Sequence, residues 1–159
     1  MSEDMNIRRD RMRFVKNTLS SRLTLLAIVF NVLYFISVYK SDVGNYYYTM
    51  LIGGSIIYNL VFMLITFLCS EGVKNYKSAY SYVLIALGAL QIVRIFIIPT
   101  QAHGAYVAGK RVMENAQFIR TVVYLSASAA LLFAGAAVNL IRTAMLIGHI
   151  KSLEAGVRG

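Results

Sequence analysis

The sequence predicts an all-α membrane protein, a four-transmembrane-helix antiparallel bundle with an N-terminal basic interfacial helix. Three observations lead there. Hydrophobic residues make up 58% of the 159-residue chain and charged residues only 14%, against roughly 25% charged in soluble domains. No charge occurs from Leu23 to Tyr39 or from Tyr46 to Ser70, and apolar stretches of about 18 residues or more read as membrane-crossing helices. The alternating strands of about 10 residues that a membrane β-barrel needs are not seen.

Each element follows in order. Residues 1–22 form a basic amphipathic segment with Arg8, Arg9, Arg11, Arg13, Lys16 and Arg22. Met5, Met12, Val15 and Leu19 share one helical face, which suits a helix lying on the membrane surface. Its charges serve as an orientation signal or, alternatively, recognise anionic lipid. The apolar run that follows is longer than a signal core, and "SVYKSDVGN" offers no small-residue cleavage site, so an uncleaved anchor is expected.

The transmembrane domain is expected over residues 23–150, with spans near 23–39, 50–69, 79–98 and 121–147. At ~1.5 Å per residue each crosses a ~30 Å hydrocarbon core. Their backbone groups must be satisfied within the segment, hence helices. The first two connections are short and predict antiparallel neighbours. Tyr46, Tyr47 and Tyr48 suit the aromatic belt at a membrane boundary. Pro99, the only proline, stops the third helix. Val112, Met113, Ala116 and Ile119 recur at helical spacing, so the fourth helix is expected to begin outside the membrane and to continue to about Glu154. Residues 151–159 form a short tail.

The formal charge of +9 is read as topology. With the N-terminus inside, eleven basic residues collect on the cytoplasmic side and five on the other. The positive-inside rule then places both termini in the cytoplasm, in a plasma (inner) membrane. The expected partners are the lipid bilayer and another membrane subunit or a second copy, not nucleic acid. A single cysteine, Cys69, excludes an intrachain disulfide and reads as a small buried apolar residue.

Three groups of residues could carry function. Each span holds one carboxamide: Asn31, Asn59, Gln91 and Asn139. An unsatisfied amide in lipid costs several kcal/mol, so these should face the interior as a polar midplane cluster. Asn31 and Asn59, at equal depth, are expected to bond; the four serve as helix–helix glue or as a pocket for a ligand. Ser126, Ala130 and Ala134 repeat at four-residue spacing beside Gly135, and Gly53 and Gly54 offer a second small patch. Small residues at this spacing let helix backbones approach closely. Arg94 and Arg142 are candidate anion or lipid contacts, although Arg94, five residues before Pro99, is expected to snorkel to the outer interface.

No metal-ligand spacing, nucleophile motif or phosphate loop occurs, and no cofactor is expected. The function expected from sequence is that of a non-enzymatic accessory or scaffold subunit acting through helix packing. The alternative is a small homo-oligomeric transporter or channel with a polar midplane pocket.

Overall fold

The computed structural model describes residues 16–46 and 50–157. Most of the expected surface helix, residues 1–15, therefore lies outside the described residues. The elements are α1 (Thr18–Tyr39), the short α2 (Asp42–Tyr46), α3 (Met50–Lys74), α4 (Ala79–Ile97), the short α5 (Pro99–Gly104), β1 (Tyr106–Val107), β2 (Lys110–Arg111) and α6 (Asn115–Val157). Among the described residues four stretches are long and apolar enough to cross a membrane: Thr18–Tyr39, Leu51–Lys74, Ala79–Gly104 and Asn115–Leu153.

The outside of the molecule is apolar. Leu25, Leu26 and Val29 of α1 and Leu60, Leu64 and Phe67 of α3 are exposed. Buried positions instead include many polar groups, among them Ser20, Thr24, Asn31, Asn59, Thr66, Ser81, Gln91, Ser128 and Asn139. In water this would be inside out. Facing lipid it is the favourable arrangement, because polar groups find partners only within the protein.

The inward faces follow a spacing of alternating three and four residues. On α1 the buried series is Ser20, Thr24, Ala27, Asn31, Tyr34 and Val38; on α3 it is Asn59, Phe62, Thr66, Cys69 and Val73. This 3.5-residue seam keeps one face of a helix against its neighbour over several turns. The long α6 packs along α1 and α4, while α3 lies against α1, more loosely against α4, and barely reaches α6.

The small-residue segment of α6 packs, but not through the face expected. Ser126, Ala130 and Ala134 are exposed, whereas Leu125, Ser128, Ala129, Leu132, Gly135, Ala136 and Asn139 are buried. The expected partner patch is open as well: a Cβ at Gly53 or Gly54 would meet nothing within 4 Å. The close approach is instead between α6 and α1. Ser20 Oγ donates to the Gly135 carbonyl at 2.6 Å and Ser128 Oγ to the Ala27 carbonyl at 3.0 Å. A Cβ at Gly135 would stand 2.9 Å from Thr24 Oγ1. The reason for the correction is that this segment is small on every side, so size cannot select a face. Asn139 selects it, since its amide needs partners and Ser128 lies three helical turns earlier on the same side.

The third connection also departs from expectation. Residues 106–111 form a two-stranded hairpin and not the start of the last helix, with Tyr106 opposite Arg111 and Val107 opposite Lys110. Its central residues Ala108 and Gly109 have φ of 49° and 79°, the paired positive values of a tight hairpin turn. The hairpin returns the chain so that the Val112 and Met113 amides donate to the Ala105 and Ala102 carbonyls. Both side chains are buried there.

These contacts generate a paired test. Gly135→Val should lower the melting temperature of the detergent-solubilised monomer, by an overpacking cost of about 1–3 kcal/mol. Ala130→Leu, five residues earlier on the outer face, should leave it unchanged. Equal losses would mean that both faces are packed.

Candidate functional site

The middle of the bundle is built around Arg94. Its side chain is only 7% exposed, so it does not snorkel outward as expected. Position 94 shares the inward face of α4 with Leu84, Leu87 and Gln91, and from there the guanidinium meets oxygen acceptors without reaching water. Nη1 donates to Asn31 Oδ1 and to Gln91 Oε1, both at 2.8 Å, and Nη2 donates to Asn59 Oδ1 at 2.9 Å. Three carboxamide oxygens from α1, α3 and α4 thus converge on one cation.

The amide nitrogens tie this shell to the rest of the bundle. Asn31 Nδ2 donates to Asn59 Oδ1 at 3.2 Å, and Gln91 Nε2 donates to Asn31 Oδ1 and Ser128 Oγ, each at 3.1 Å. Asn59 Nδ2 closes on the Ser55 carbonyl at 2.8 Å. Two aromatic rings also face the charge: Arg94 Cζ stands 4.6 Å from the ring centroids of both Tyr34 and Tyr58. Such desolvated cation–π contacts are worth up to about 2 kcal/mol each.

Among the described residues no carboxylate takes part, and the Lys74–Glu71 ion pair lies apart from this shell on the surface. The Arg94 charge is therefore spread over neutral dipoles and ring faces and keeps its full positive sign. A guanidinium carries five N–H donors; Nη1 uses two and Nη2 one. The carboxamide bonds leave Nε–H and one Nη2–H, with the Tyr34 hydroxyl also interacting with the guanidinium; adjacent Nε and Nη2 donors are the pair that an anion with two oxygens grips in bidentate fashion.

This charge borders a cavity of about 260 Å³. Tyr34 and Arg94 form its buried inner wall, with Leu51, Gly54, Ser55 and Tyr58 of α3 on one side and Leu90, Val93 and Ile97 of α4 on the other. The opening lies between α3 and α4, where the helices pack loosely, and its rim residues Leu51, Leu90, Val93 and Ile97 are exposed apolar side chains. The buried Tyr58 hydroxyl has no hydrogen-bond partner.

The expected four-carboxamide cluster is divided in two. Asn31, Asn59 and Gln91 meet at Arg94. Asn139 belongs to a separate knot near the N-terminal end of α1. It donates to Ser81 Oγ at 2.8 Å and to the Lys77 carbonyl at 3.2 Å, and accepts from Asn17 Nδ2 at 3.1 Å. Arg142 donates to Asn17 Oδ1 at 3.2 Å, and the Asn17 amide donates to the Lys74 carbonyl at 2.9 Å. This knot fastens α1, α3, α4 and α6 where they come together and leaves Arg142 part of a structural junction.

Sequence reasoning missed Asn17, Ser81, Ser128 and Tyr34 as partners. For Tyr34 a signal existed, since it follows Asn31 by three residues on the same face. For Ser128 none stood out. No group of three or more metal-binding side chains occurs among the described residues. Comparison with protein-family models, with curated proteins and with solved structures yields no match.

The direct contact between the first two carboxamides can be checked by a double-mutant cycle. Asn31→Leu and Asn59→Leu should each destabilise the detergent-solubilised protein by about 1–3 kcal/mol, because each strips acceptors from a buried cation. The double variant should cost less than the sum, as both act on one network. Strict additivity would contradict the shared shell.

Proposed function

We propose that this chain is a multi-pass membrane protein that binds an anionic ligand inside the bilayer, without catalysing a reaction on it. The observation that carries this reading is the buried, uncompensated Arg94 beside an open cavity. A purely structural arginine would ordinarily be neutralised by a carboxylate, because an unpaired buried charge is costly. Here neutral carboxamides hold the cation in place and leave its charge uncompensated. Ionisable groups at membrane depth are functional candidates for the same energetic reason. The reading develops the polar midplane pocket expected from sequence and is compatible with transport or with sequestration.

The bundle is taken as antiparallel with both termini cytoplasmic. The meeting of Asn17 with Lys74 and Asn139 supports the first point, and the distribution of basic residues supports the second. The scaffold reading has its own support in the outward stripe of Ser126, Ala130 and Ala134, which no internal helix fills. On that reading Ala130→Leu releases a co-purifying subunit while the monomer stays intact.

Orientation is tested by thiol labelling of Ser78→Cys in intact cells. The buried Cys69 should give little background, and labelling by an impermeant reagent from outside would reverse the assignment. Ligand binding is tested by melting curves of the purified protein with alkyl-chain amphiphiles of one length bearing anionic, neutral or cationic heads. At least one anionic head should stabilise the protein above its neutral counterpart, and Gly54→Leu, which fills the cavity, should remove the effect. Equal stabilisation by all three heads would refute the anion site.

A further inference from the structure

We infer that the ligand is a single-chain carboxylate amphiphile, of the fatty-acid type, entering sideways from the bilayer between α3 and α4. The inference rests on the anion-site reading and names its substrate class. Four features select this chemistry. Arg94 keeps Nε–H and one Nη2–H outside its carboxamide bonds, and a planar carboxylate matches two adjacent donors of such a fork with two parallel hydrogen bonds. One positive charge, with no second cation among the lining residues, suits one negative charge.

The walls beyond Arg94 are apolar. Leu51, Leu90, Val93 and Ile97 line the cavity and are themselves exposed on the outer surface of the bundle. The lining thus runs without a polar rim from the guanidinium to the surface that faces lipid. A water-soluble anion would have to cross that apolar lip, whereas an amphiphile presents the apolar part to it. The volume of about 260 Å³ falls below the roughly 300–1,000 Å³ of pockets that enclose a drug-sized ligand. It accommodates a head and the first part of one chain, with the remainder of the chain left among the lipids.

Gly54 sits on this wall, where an added Cβ would meet nothing within 4 Å. A larger side chain there enters free space and leaves the Arg94 hydrogen bonds untouched. That permits a test in which folding and binding are separated. Equilibrium binding of radiolabelled palmitate to the full chain in mild detergent is compared with hexadecanol, hexadecyl phosphate and acetate as competitors. Palmitate should bind with one-to-one stoichiometry. Hexadecanol should compete at least about ten-fold more weakly, having lost the charge-assisted pair. Acetate should fail for want of a chain, and hexadecyl phosphate should compete more weakly than unlabelled palmitate.

Gly54→Leu should weaken palmitate binding at least about ten-fold with an unchanged melting temperature in the absence of ligand. Should that variant fold poorly, Val93→Trp on the opposite wall takes its place. Arg94→Lys, which keeps the charge but not the fork, should weaken palmitate while narrowing its advantage over hexadecyl phosphate. Hexadecanol binding as tightly as palmitate, or palmitate retained in full by a folded cavity-filling variant, would overturn the inference. Preference for hexadecyl phosphate would overturn the carboxylate assignment and leave the anion site standing. Failure of every anion to bind would remove both.

Discussion

The structure depends on how a cation is kept away from water by neutral groups. Three carboxamide oxygens, each on a different helix, point at Arg94, and their amide nitrogens bond to one another or to neighbouring oxygens. Removing one of them leaves the other acceptors in place but loosens the geometry of all. The cation in turn fixes the relative depth of α1, α3 and α4, because no sliding of one helix keeps the three bonds at 2.8–2.9 Å. Polar contacts between membrane helices average well below 2 kcal/mol each; it is their convergence on one group that makes them specify a register.

Around this centre, packing is divided between two kinds of contact. Between α1 and α6 the backbones come close because Ser20, Ala27, Ser128 and Gly135 are small, and the serine hydroxyls use that proximity to reach carbonyls of the opposite helix. Between α3 and α4 the helices stand apart, and the space is the cavity. The Asn17–Asn139 knot at one end and the Gln117 bonds to Ser37 and Ser41 at the other hold α1 and α6 together at both ends. Beside the cavity α3 and α4 are joined through the Arg94–Asn59 bond, and the gap beyond it is a property of the helix arrangement.

The helical spans were legible because hydropathy and charge are segregated along the chain. The first helix does end at Tyr39 and the third begins at Ala79, where composition changes. Legible too was the inward turn of Asn31, Asn59 and Gln91, since an amide in lipid has nowhere else to go. Two readings failed for a common reason: each judged a residue on its own. Arg94 was placed by its distance from Pro99, although Gln91 three residues earlier already marked that face as polar. The small stripe was placed by the spacing of Ser126, Ala130 and Ala134, although Asn139 marked the opposite face. The hairpin at Ala108 escaped because alanine is an uncommon residue at a positive φ. The cavity was not legible, since it arises from a separation between helices and from no residue type.

The unpaired charge has a further consequence, for permeation. An uncompensated guanidinium fixed within a bundle of low dielectric raises the potential along any route that passes it. Water-filled channels use such an arginine to turn back protons and other cations. Tyr34 and Tyr58 flank the same group, and a second cation approaching it would meet a charge whose hydrogen-bond partners are neutral carboxamides.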